Sequence, residues 1–109
     1  MAYDEGLEQR IQELLGHQSG VVAKKMFGGV GFMIQGNMAC GVHKNTLIVR
    51  VGRDRYEEAL AKPHASPFDI TGRAMTGWVM VSADGFESDE ALRGWVQRGV
   101  EFALSLPPK

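Results

Sequence analysis

One cysteine, Cys40, is all the sulfhydryl chemistry this chain holds, so an internal disulfide is excluded and a two-cysteine redox or zinc knuckle with it. No long apolar run is present either, and no basic, apolar leader opens the chain, which argues against a membrane span or a signal peptide and for a cytoplasmic protein. Charge of one sign is also missing. The net charge is −1, leaving no global field to draw the protein onto nucleic acid or anionic lipid, and autonomous nucleic-acid binding is not expected. What is there is ordinary globular material: 44% hydrophobic and 23% charged residues in 109, enough for one domain spanning residues 1–109 and too little for two.

The periodicity reads as α+β. Leu7, Ile11, Leu14 and Leu15 share one helical face behind Asp4 as N-cap, with Gly16 as the stop. From Lys24 to Val51, apolar residues alternate with small or polar ones between turn signals. Four strands in a meander follow: Val21 to Phe27, Val30 to Ile34, Met38 to Val42 and Leu47 to Val51, broken at Gly28-Gly29, Gly36-Asn37 and Lys44-Asn45. A short helix is expected over Arg53 to Ala61, ended by Pro63 and Pro67. Phe68 to Ile70 and Trp78 to Val81 add one or two strands. Ser88 caps a last helix that runs to Pro107 and buries Leu92, Trp95, Val96, Phe102, Ala103 and Leu106. The expected architecture has two layers, an antiparallel sheet of five to six strands and three helices on one face.

Alternation assigns Val30, Phe32, Ile34, Cys40, Val42, Leu47, Val49 and Val51 to the helix side. The opposite side receives Gly31, Met33, Ala39, Gly41, His43, Ile48 and Arg50. Small residues and methionine there permit close approach by a second copy or another protein; the competing reading is a solvated back face.

Motifs that carry chemistry fail on context. Gly28-Gly29-Val30-Gly31 is followed by a strand and a hairpin, with no helix dipole and no Lys-Ser/Thr to cradle phosphate. Cys40 and His43 are spaced like half a metal site but point to opposite faces of a regular strand, and His17 and His64 lie in unrelated segments. Lys24, Lys25, Arg50, Arg53, Arg55 and Arg73 form at most a modest basic patch, interleaved with Asp54, Glu57 and Glu58. Asp84, Glu87, Asp89 and Glu90 suit a turn and a helix start, and Trp78 and Trp95 suit the core. No nucleophile, metal cage or cofactor cradle assembles.

Several segments together resemble the TfoX amino-terminal domain family, related to the TfoX/Sxy regulators of natural competence. They are Lys25-Met26-Phe27-Gly28-Gly29, Phe32-Met33, Gly36-Asn37-Met38 with Gly41, Leu47 to Gly52, Thr71-Gly72-Arg73-Ala74-Met75 and the helix Leu92 to Pro107. The resemblance implies a two-layer fold similar to secretion chaperones. It also implies regulation without catalysis, by members that act with the cyclic-AMP receptor protein. Those regulators carry a carboxy-terminal domain, whereas this chain ends at Lys109, so a stand-alone amino-terminal domain is expected. The leading expectation is therefore a non-catalytic module with a protein partner, either transcription machinery or a cyclic-AMP receptor-type regulator, and with homodimerisation open. Lys24, Lys25, Met33, Arg50 and Arg73 are the candidate contact residues. The alternative is a domain binding a small anionic ligand, or an enzyme, with a pocket near Trp78, Phe68 and Arg73.

Overall fold

The Asp4 carboxylate accepts a hydrogen bond from the Leu7 amide at 3.0 Å and so starts the first helix, α1 (Glu5–Leu14), in the computed structural model of the protein. The structure describes residues 3–16, 18–26, 28–69, 72 and 74–109; His17, Phe27, Ile70, Thr71 and Arg73, all named above, lie outside them. Among the described residues the order is α1, β1 (Val21–Met26), β2 (Gly29–Ile34), β3 (Asn37–His43), β4 (Thr46–Arg50), α2 (Tyr56–Leu60), β5 (Ala65–Pro67), β6 (Trp78–Val81), a 3-10 turn (Ala83–Phe86) and α3 (Asp89–Ser105). The strands form one six-stranded antiparallel sheet in the order β1-β2-β3-β4-β6-β5. The fold is α+β with three helices and an open sheet, as the periodicity predicts.

Leu7, Ile11 and Leu15 of the first helical segment, Ala59 of α2 and Leu92, Trp95, Val96, Val100 and Ala103 of α3 bury against Val30, Phe32, Ile34, Val42, Leu47, Val49, Val79 and Val81. All three helices thus contribute to one core against one face of the sheet. Ser88 caps α3 by accepting from the Ala91 amide at 3.1 Å. Arg10 reaches from the middle of α1 to the Phe86 carbonyl at 2.9 Å and to Asp89 at 3.2 Å, tying α1 to the start of α3.

Four expectations shift. The second hairpin turns on Gln35 and Gly36, at φ 53° and 87°, with Ile34 paired to Asn37. Asn37 was the expected turn residue; it is 2% exposed instead, and its Nδ2 donates to the Pro107 carbonyl at 2.9 Å while the Lys109 amide donates to Gln35 at 2.8 Å. The chain end thereby makes Asn37 a strand residue and leaves the left-handed position to Gln35. Second, Phe32 pairs with Cys40 but Met33 with Met38, so Ala39 is a bulge residue. Ala39 therefore leaves the open face assigned to it and joins Cys40 in the core. Third, the strand expected at Phe68 to Ile70 lies at Ala65–Pro67, where an outer strand tolerates a proline that donates nothing. Fourth, the helices are shorter: Arg53 to Arg55 form a turn ahead of α2, and α3 buries Gly99 and Val100 in place of the half-buried Phe102 and Leu106.

Candidate interaction face

Turning the core residues of each strand toward the helices leaves a continuous row on the other side. Lys24 pairs with Gly31, Gly31 with Gly41, Gly41 with Ile48, Ile48 with Met80 and Met80 with Ser66, crossing the whole sheet. A second row sets Val22 beside Met33 and Met33 beside Met38, and Arg50 stands opposite Trp78. Val22 is 55% exposed, and Met33, Met38, Trp78 and Met80 are half-buried. Ile48 is 3% exposed yet lies outside the helix-facing core. Gly31 and Gly41 stand side by side at the middle, both buried, and a side-chain carbon placed at Gly41 would lie 2.6 Å from the Val30 carbonyl oxygen and 3.0 Å from the Met38 methyl.

Charge is segregated between the layers. None of the six strands carries an aspartate or glutamate, and all thirteen acidic residues sit in helices, caps, turns and loops. The open face holds Lys24, His43 and Arg50 as its ionisable groups among the described residues. Arg50 is held by rings instead of acids: its guanidinium carbon is 5.2 Å from the Trp78 ring and 5.1 Å from that of Phe102. Among the described residues it forms no ion pair. Stacking covers guanidinium faces and leaves the N–H edges for a partner.

The expected contact residues are only partly brought together. Lys24, Met33 and Arg50 share the open face, with Lys24 on the outer strand and Arg50 three strands away. Lys25 pairs with Val30, so its position in the pleat belongs to the helix side, and the two lysines do not form one patch. Arg73 lies outside the described residues. Val22, Met38, Trp78 and Met80 belong to the face as well; the alternation in β1 and β6 signals three of them, but Met38 takes its place only through the Ala39 bulge. Phe68 and Trp78 are 6.0 Å apart between ring centroids, tilted by 41°, close to where the alternative pocket was expected.

Among the described residues no three His, Cys, Asp or Glu side chains gather to hold a metal, and no helix is long and apolar enough to cross a membrane. Cys40 is fully buried, and burial pushes its thiol up to about 12 because the thiolate would lose its hydration. A raised folded-state value favours the protonated fold. Stability is therefore complete below the ordinary thiol pKa and falls as pH rises from there toward 12, by at most about 1.4 kcal/mol per pH unit. Native protein is expected to resist a thiol reagent until it opens, and Cys40→Ala is expected to flatten the alkaline loss in urea titrations; an unchanged slope would assign that loss elsewhere.

The family model described as TfoX N-terminal domain matches residues 13–103. A search of curated proteins finds none that matches. The match takes in every strand, α2, most of α3 and the last two residues of α1, including all of the open face, and on it the chain belongs to the TfoX N-terminal domain family.

Proposed function

We propose that this chain is a non-catalytic regulatory module that works by binding another protein on its open sheet face. The observation that carries the reading is the composition of that face: apolar, glycine-floored, free of carboxylates and edged by Lys24 and Arg50. Family membership supports a regulatory role, with a transcription factor of the cyclic-AMP receptor type or another part of the transcription machinery as the partner. The single buried thiol suits a reducing, cytoplasmic setting. A second copy is the less favoured occupant, because two such faces would bring lysine and arginine against lysine and arginine.

The test is a comparison of capture by the tagged protein and by a Lys24→Glu/Arg50→Glu variant from nuclease-treated lysate, with the retained protein then purified and titrated. Recovery of a transcription factor with roughly tenfold weaker binding by the variant is the expected result. Equal binding by a folded variant would take the partner off this face. Sedimentation across a concentration series decides the homodimer: self-association abolished by the same variant would put a second copy in place of the heterologous partner.

A further inference from the structure

On the helix side of the molecule, a cavity of about 410 Å³ opens between the β4–α2 connection and the C-terminal half of α3. Its volume falls in the range of small-ligand sites, roughly 300–1,000 Å³. Val51, Gly52 and Phe102 give it an apolar side, and Arg53, Arg55 and Arg98 line it together with Asp54, Glu101 and Ser105.

The arginines differ in how they are occupied. Arg98 donates to Glu58 at 2.9 Å, lies 5.7 Å from the Trp95 ring and is mostly shielded from solvent, so it is fixed in place. That bond holds the Glu58 carboxyl below its usual range. Arg53 and Arg55 are exposed and, among the described residues, meet no carboxylate at ion-pair distance although Asp54 stands between them. Glu101 instead accepts from Gln97 at 3.4 Å. Two guanidinium-bearing residues without acid partners, Arg53 and Arg55, thus line one concave, partly apolar space beside the fixed Arg98.

We propose that this cleft binds a small organic oxyanion, phosphate- or carboxylate-bearing, with Arg53 and Arg55 as its direct ligands and Phe102 against its apolar part. Planar N–H forks match oxyanion geometry in pairs, which a lysine at these positions would not do. Arg98 is a positioning residue whose fixed charge favours the anion. Asp54 and Glu101 in the same lining accept hydrogen bonds from hydroxyl or amine donors, which favours an organic anion that carries several of them over inorganic phosphate. The site lies in the helix layer, so it stands or falls independently of the open sheet face.

The test is titration of isotopically labelled full-length protein with citrate, ribose 5-phosphate and inorganic phosphate at constant ionic strength, read by amide shifts. Saturable shifts confined to residues 51–55 and 98–105 are expected with at least one organic anion, with weaker response to inorganic phosphate. The exposed pair Arg53→Gln/Arg55→Gln should weaken that binding roughly tenfold, the scale for losing charge-assisted hydrogen bonds, while Arg93→Gln, on an exposed part of α3, should not. Shifts that fail to saturate with every probe, that scatter over basic residues across the surface, or that survive the double substitution would overturn the proposal.

Discussion

Gly99→Ala is expected to destabilise the protein by about 2 kcal/mol, while Gly94→Ala on the same helix is expected to stabilise it by about 1 kcal/mol. The two replacements are chemically identical and both remove glycine from the interior of α3, which alone favours the alanine protein by up to about 1 kcal/mol each. What separates them is the sheet. A methyl at Gly94 would meet nothing within 4 Å, whereas one at Gly99 would overlap the Ala39 carbonyl oxygen and lie 2.9 Å from its carbon. The obstacle is backbone, and it is the backbone of the bulge in β3, where hydrogen-bonded strands on both sides prevent retreat. The helix must lift or the bulge must move, at a cost of about 3 kcal/mol for overpacking, of which helix propensity offsets about one. Melting temperatures should separate in opposite directions, roughly 8 °C down and 4 °C up, in thermal scans of a domain this size. Shifts of the same sign would mean that α3 does not sit on Ala39.

That contact also shows where sequence reasoning stops. Caps and alternation are local, and Asp4, Ser88 and the four-strand meander are recoverable from neighbours in the chain. The bulge is not local: the stretch from Met38 to Val42 reads as a regular strand, and only the pairing of Met33 with Met38 places Ala39 inward beneath Gly99. The turn at Gln35-Gly36 is displaced for a similar reason, since the group that claims Asn37 is the Pro107 carbonyl at the other end of the chain. In the candidate face, alternation places Met33 and Arg50, whereas Lys24 and Lys25, expected together, are parted by the pleat of β1. The double ring stack on Arg50 needs Phe102, which the helical pattern assigns to the core. A side chain at the border of a helical stripe can turn either inward or along the sheet end, and the choice here is made by Gly52.

Gly52→Ala is accordingly expected to cost about 3–4 kcal/mol, more than any surface change in this domain. Two terms add. Gly52 has φ 85°, where a side chain is strained by about 1–2 kcal/mol, and an added carbon would fall 2.5 Å from two atoms of the Phe102 ring. Its amide and that of Val51 both donate to the Gly77 carbonyl, at 3.0 and 2.8 Å, so the backbone is held and the ring must give way. Moving the ring removes one side of the Arg50 stack and reshapes the cleft beside it. A double-mutant cycle separates the terms. In a Phe102→Ala background the steric part disappears, and Gly52→Ala should then cost only the conformational strain, about 1–2 kcal/mol, giving a coupling of roughly 2 kcal/mol in urea unfolding. Additive effects would leave the ring out of the account and make the left-handed backbone the whole reason for a glycine at this position.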